Sequence, residues 1–278
     1  MTNVLTYLTY PPVLRGFLVL LVAGTFFPLA GVFVLRMNLL PFRFALMHTS
    51  LLGAALGLAL GLSPLLVGLV ANGVLISTLA TTGTHVPRQT GPLTAFFMVF
   101  TAGLAFTILY KFDVPAMDSL ALLWGNIYAL RPTDGILTLV FALVLALVTW
   151  GFFPWIRAVL FNRDTALTSG VPARLVTTGI LFGVGFTIHL VMSLIGALLL
   201  DAILILPALA AGYTAKSTRE LFLHAGAWGF FVSMGGFLGS LALDIPASSG
   251  VTIVGALFLA LVVGLSKVTK RKHLKELS

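Results

Sequence analysis

Between Gly16 and Leu35 the chain passes through 20 residues without one ionisable side chain, and stretches of the same kind recur to the C-terminus. A helix of about 20 apolar residues is what crossing a hydrocarbon core of roughly 30 Å requires. An open sheet would leave backbone groups unpaired in lipid, and the runs lack the period-two alternation of a membrane barrel. Helices are the remaining solution. The composition agrees: 59% of the 278 residues are hydrophobic and 9% charged, with a mean hydropathy of +1.10. A soluble domain carries roughly a quarter of its residues as charges.

Hydropathy and helix breakers divide the sequence into nine apolar segments, at 16–35, 44–61, 63–80, 92–110, 135–154, 174–190, 194–212, 221–243 and 250–267. The first is too long for a signal-peptide core, lacks a clean small-residue cleavage site, and reads as a transmembrane helix. The breaks fall at Pro41, Ser63-Pro64, the 81–91 loop, Arg131-Pro132 and the 244–250 loop, all with turn chemistry. A short extra helix is expected over 118–129. The expected architecture is an all-α, polytopic transmembrane bundle of about 8–9 spans, one segment being open to a re-entrant or surface reading. Tyr7, Tyr10, Trp124 and Tyr128 fall near span ends, where aromatic anchors collect.

Charge gives an orientation. With the C-terminus inside, the inner segments hold Arg36, Arg43, Arg88, Arg157, Arg163, Arg174, Lys216, Arg219 and the five basic residues from Lys267 to Lys275. That is 13 of 16 basic residues, leaving Arg15, Lys111 and Arg131 outside, a strong positive-inside bias. The net charge of +8 therefore calls for no nucleic-acid partner, and the basic tail at 267–278 reads as an anchor on anionic lipid. Gly53, Gly57 and Gly61 repeat every four residues, as do Gly235 and Gly239, and predict close helix packing.

Catalytic patterns are missing. The sequence has no cysteine, no H-E-x-x-H, no G-x-S-x-G and no dinucleotide-binding glycine motif. Ala215-Lys216-Ser217-Thr218 lacks the glycines of a phosphate-binding loop, so the chain is not expected to be an enzyme. Among its eight acids only Asp201 falls within an apolar run. A carboxylate there costs at least about 2.5–3.5 kcal/mol on insertion scales and normally faces a cavity or a partner. Asp201 is a candidate for lining a pathway, with a structural hydrogen-bond role as the alternative. His48 and His189, also within spans, are the next candidates against the plainer reading of satisfied core histidines, and His224 reads as a cap or packing residue. Imidazole and carboxylate together suit zinc, manganese or iron(II). The basic-side segment Arg157–Arg174 predicts a short helix, a glycine stop and a proline restart. It is either a docking surface for a cytoplasmic partner or an ordinary connector.

Six motifs in order then carry a resemblance. They are Gly31–Arg36; Ala45, Leu46, His48, Leu51 and Gly53; Gly125-Asn126-Ile127; Ala166, Gly170, Val171 and Pro172; Gly196, Leu198, Leu199, Ala202, Leu204, Pro207 and Ala208; and Gly250, Thr252, Ile253 and Val254. Together they resemble the membrane permeases of the zinc/manganese/iron class of ATP-binding-cassette importers, nearly end to end. The resemblance implies a single permease domain over 1–278 in the cell inner (plasma) membrane, with the C-terminus cytoplasmic. It implies a homodimer, a separate cytoplasmic ATPase that docks on Asn162, Ala166, Gly170, Val171 and Pro172, and an extracytoplasmic substrate-binding protein. No cofactor is held permanently; a divalent metal ion is the cargo, with His48, Asp201 and His189 along its route. Departures stand beside the matches. Phe44 occupies the place of the aspartate that usually precedes the histidine of the second span by four residues, and the acidic residue opening the fourth span is missing around Pro92–Thr94. Asn162 replaces the aspartate of the coupling segment, and Asp201 stands where serine or threonine is common. A permease for a metal chelate or small organic ligand is the alternative within the class, and a secondary transporter or channel the rival outside it.

Overall fold

The computed structural model describes residues 4–82, 90–115 and 127–276. Thirteen α-helices follow one another in these residues: α1 Val4–Tyr7, α2 Pro11–Phe26, α3 Pro28–Arg36, α4 Leu40–Ala59, α5 Pro64–Thr82, α6 Thr90–Lys111, α7 Pro132–Gly151, α8 Phe153–Phe161, α9 Arg163–Thr168, α10 Ala173–Ile195, α11 Ala197–Thr214, α12 Thr218–Leu243 and α13 Ala247–Glu276. Eight segments among the described residues are long and apolar enough to cross a membrane, counting α2 and α3 as one, and Pro64–Leu79 is a shorter apolar helix beside them. Of the extra helix expected at 118–129, only Ile127–Ala129 lies within the described residues, as a 3₁₀ turn. Trp124, Gly125, Asn126, His85 and Arg88 lie outside them.

Proline and left-handed residues set the boundaries. The first span is interrupted at Phe27, because Pro28 has no amide hydrogen to continue the ladder. Helices α3, α6 and α12 are each followed by a non-glycine residue of positive φ: Asn38, Asp113 and Asp244. Short Asx side chains tolerate that conformation. At Asn38 the amide of Leu39 bonds Val34 O at 2.8 Å and that of Asn38 bonds Leu35 O at 3.3 Å, the paired bonds of a Schellman stop. Gly61 plays the same part after α4, with φ +65 and Leu62 N donating to Gly57 O at 2.8 Å. Its position past the helix end takes Gly61 off the packing face on which the four-residue repeat places it, and no atom lies within 4 Å of where its Cβ would stand. Gly196 separates α10 from α11, so these spans run to Ile195 and from Ala197 where hydropathy alone places 174–190 and 194–212.

The described helices form two compact units. One comprises residues 1–32, 128–143 and 201–278. Here α12 packs on both α2 and α13. Gly24 of α2 meets Gly229 and Ser233, and a Cβ on Gly24 would lie 2.7 Å from Ser233 Cβ, so only glycine fits. On the other side a Cβ on Gly236 would stand 2.8 Å from Val251 N. The close-packing glycines of α12 are thus Gly226, Gly229 and Gly236. Gly239 has open space and Gly235 meets only Val254 Cγ1 at 3.7 Å, so the expected four-residue ridge lies one position off the true contact. One residue along a helix is about 100° around it.

The second unit comprises residues 33–127 and 144–200. In it α4 packs on α5 and α6, and α10 packs on α4 and α5. Gly53 and Gly57 do lie at a close contact: a Cβ on Gly53 would stand 2.8 Å from Gly68 N, and one on Gly57 2.7 Å from Pro64 Cα. Large apolar side chains point outward from α6, α7 and α13, with Val99 67%, Leu147 71% and Leu257 65% exposed. Water would oppose such a surface; a lipid solvent accepts it.

Candidate transport and coupling sites

The segment 157–174 is the best-defined local structure of the candidate sites. α9 starts at Asn162, whose Oδ1 accepts from the amides of Asp164 at 2.9 Å and Thr165 at 3.1 Å, a side-chain N-cap. Asparagine caps as well as aspartate, so the departure at Asn162 changes charge while keeping this bond pattern. The helix ends in a Schellman stop: Val171 N donates to Ala166 O at 3.0 Å, Gly170 N to Leu167 O at 3.2 Å, and Gly170 sits at φ +78. Pro172 then precedes α10 as its N-cap residue. Ala166 is buried with Val159 and Ala173, and Val171 and Val176 pack against this small core. Motif residues Ala166, Gly170, Val171 and Pro172 are therefore the parts of one rigid turn. Asn162, Asp164, Leu167 and Gly170 are exposed on it, while Arg163 is half-buried with an Nε–H that no acceptor meets among the described residues.

His48 is half-buried on α4. Its Nδ1–H donates to Phe44 O at 2.8 Å, which leaves the lone pair of the neutral ring on Nε2. A ring oriented by a carbonyl in this way is the usual condition of a metal-ligating histidine. The same bond explains what Phe44 supplies here: its backbone, with no carboxylate, while its ring carries the Arg43 guanidinium 4.2 Å from its centroid.

His189 differs. It is fully buried on α10, and its Nε2–H donates to Leu65 O of α5 at 2.8 Å, with Ser193 Oγ 3.4 Å away. The ring lies against Gly68 so closely that a Cβ there would meet Nδ1 at 2.9 Å. Nδ1 has no partner among the described residues. The two histidines are also separated in direction. The α4 face that meets α5 and α10 carries Leu46, Ser50 and Gly53, and His48 lies about 200° around the helix from both Leu46 and Ser50. Asp201 is half-buried and is the fifth residue of α11, near its start and away from its middle. Among the described residues no three His, Asp or Glu side chains gather closely enough to hold a metal.

One buried polar pair escaped the sequence reading. Asn72 is fully buried in α5 and its Nδ2 donates to Ser50 Oγ at 2.6 Å, tying α4 to α5. The available signal was an amide inside an apolar run. His224 accords with its reading as a packing residue: its Nδ1 and Trp228 Nε1 both meet Thr214 Oγ1, at 3.0 and 3.1 Å.

The sequence pattern of the ABC 3 transport family matches residues 9–266. The chain belongs to that family. Among curated relatives, the manganese import system permease protein ScaB of Streptococcus gordonii is 25% identical over 258 residues, 92% of this chain and 91% of that protein. The high-affinity zinc uptake system membrane protein ZnuB of Haemophilus influenzae is 23% identical over 256 residues, 91% and 95% of the two chains. A solved structure, PsaBC from Streptococcus pneumoniae in complex with Fab, superposes with a TM-score of 0.82 at 21% identity, covering 93% of this chain and 94% of that one. The fold expected from the sequence, an all-α membrane bundle of the ABC importer permease kind, is the fold observed. The family is one of transport permease components.

Proposed function

We propose that this chain is the membrane permease subunit of an ATP-binding-cassette importer that carries a divalent metal, zinc, manganese or iron(II), into the cell. The whole of 1–278 acts as one permease domain and works as a homodimer. The observation that supports this reading most directly is the α9 turn: a capped, glycine-terminated helix presented on the basic side of a family whose named relatives include a manganese and a zinc uptake permease. In this reading ATP hydrolysis is done by a separate cytoplasmic ATPase docking on Asn162, Ala166, Gly170, Val171 and Pro172. The C-terminus is cytoplasmic in the plasma membrane, and an extracytoplasmic binding protein delivers the ion.

The permease needs groups that hold the ion only briefly. His48 offers a half-exposed Nε2 lone pair, and Asp201 supplies charge near the start of α11. Two or three N/O groups with water are enough for a borderline divalent ion, and fewer ligands let it leave. His189, sealed against Gly68, serves the route through the packing of α5 on α10, which its bond to Leu65 holds in register.

Co-purification tests the assembly. The tagged chain co-expressed with a candidate cytoplasmic ATPase of the importer class should elute as a complex with two copies of each. Elution of the permease alone, under conditions where it remains monodisperse, contradicts the reading.

A further inference from the structure

We propose that one water molecule is enclosed where α4, α5 and α10 meet in the second unit, donating one hydrogen bond to Asn72 Oδ1 and another to His189 Nδ1. Both side chains are fully buried, and neither of these two atoms has a hydrogen-bond partner among the described residues. A buried acceptor left unmet forfeits the hydration it had in water, and an apolar surround supplies no donor in its place.

The two acceptors share one face of α5. The His189 ring covers Gly68, where a Cβ would be 2.9 Å from Nδ1 and 3.0 Å from Nε2. Asn72 is one turn further along that face, and positions four apart place their Cβ atoms about 5–6 Å from each other. Side chains on a helix lean toward its N-terminus, so the Asn72 carboxamide leans back over the turn that carries the ring. Two hydrogen bonds of about 2.8 Å from one oxygen span such a gap.

The direction of the bonds decides the occupant. On one side Ser50 Oγ donates to Leu46 O at 2.9 Å and accepts from Asn72 Nδ2 at 2.6 Å, which leaves Oδ1 as the unmet end of the carboxamide. On the other, Leu65 O can only accept, so His189 Nε2 carries the proton of the neutral ring and Nδ1 its lone pair. Every bond on either arm runs outward from the gap, and what fills the gap must donate twice. Water is the small double donor, and two partners are within the usual number for a buried one. A divalent ion is the other species that two acceptors could share. It fits less well, because α4, α5 and α10 contain no acidic residue, and two neutral ligands would leave its charge uncompensated in an apolar interior. With the water in place, the α4–α5 bond and the α5–α10 bond join into one network across three helices. Neither the site nor its test depends on the importer reading.

The test is solid-state NMR of the full chain in lipid bilayers, with the rings of its five histidines labelled with nitrogen-15 and polarisation transferred from water at short mixing times. His189→Gln identifies the His189 signals by their loss. In the wild type, Nε2 should be protonated, and Nδ1 should have the shift of a hydrogen-bonded acceptor and receive polarisation from water although the residue is fully buried. Asn72→Leu removes one acceptor and should abolish that transfer while Nε2 stays protonated; Ser50→Ala leaves both acceptors in place and should keep it. An Nδ1 shift of an unbonded nitrogen with no transfer from water would overturn the bridge on the wild-type spectrum alone. So would a ring protonated at both nitrogens, transfer that persists in Asn72→Leu, or selective broadening of the His189 signals by manganese(II), which would put an ion between the two acceptors.

Discussion

Gly170 offers the sharpest perturbation of the α9 turn. It stands at φ +78 and its amide closes one of the two bonds that end α9. A Cβ added there meets no atom within 4 Å, so Gly170→Ala acts through backbone conformation and not through a clash. Holding an L-residue in the left-handed region costs about 1–2 kcal/mol. That shifts the equilibrium between the stopped turn and a frayed one by a factor of roughly 5–30. If the ATPase recognises the stopped turn, its affinity for the permease falls by up to the same factor, in proportion to the fraction of permease whose turn is frayed. Asparagine tolerates this conformation, as Asn38 does at the end of α3. Gly170→Asn should therefore recover most of the loss although it is the larger side chain. Thermophoresis of the labelled permease against the purified ATPase reads the affinity directly, with size-exclusion chromatography as the control for folding. Wild-type affinity in Gly170→Ala, or equal weakening by Ala and Asn, would refute the conformational argument.

Other expectations follow from the same geometry. Gly68→Ala places a methyl group against the His189 ring and should lower the apparent melting temperature, the overpacking costing about 1–3 kcal/mol; Gly68→Ala with His189→Ala should regain stability over the single change, and failure to do so would remove His189 as the clashing group. His48→Ala should reduce uptake of zinc, manganese or iron without affecting assembly. Asp201→Asn, which keeps size and hydrogen-bonding capacity, should do the same through loss of charge. Wild-type uptake in both variants would place the ion route elsewhere. A reporter fused after Ser278 should be cytoplasmic and one inserted within 244–250 external, the reverse pattern overturning the orientation.

Much of the helix layout was legible because the length of an apolar run and the chemistry of its breaks are local properties. Each of the nine expected segments overlaps a helix, and Pro41, Pro64 and Gly170 act where their backbone restrictions place them, whereas the interruption of the first span at Pro28 went unread. The basic tail was less legible: it continues α13 to Glu276, since lysine and arginine favour helix and leaving the lipid does not stop one. What depended on helix rotation could not be read. The repeat at Gly235 and Gly239 has the right spacing, yet the contact is made by Gly229 and Gly236, because packing direction is set by partners distant in sequence. The candidate site divides along the same line. The α9 turn is a contiguous motif and its residues meet as the order suggests. The difference between His48, with its lone pair presented, and His189, with its ring enclosed by Gly68, arises only when α5 and α10 come together.

If this permease imports a divalent metal as proposed, uptake should require ATP hydrolysis by a partner ATPase. The direct measurement is uptake of radioactive zinc and manganese by proteoliposomes containing the permease, its ATPase and its binding protein, with and without ATP inside. ATP-dependent accumulation of one of these metals, abolished when the ATPase is omitted, is the predicted result. Metal entry that continues without ATPase, or ATP hydrolysis stimulated by an organic ligand or chelate while both ions stay outside, would contradict it.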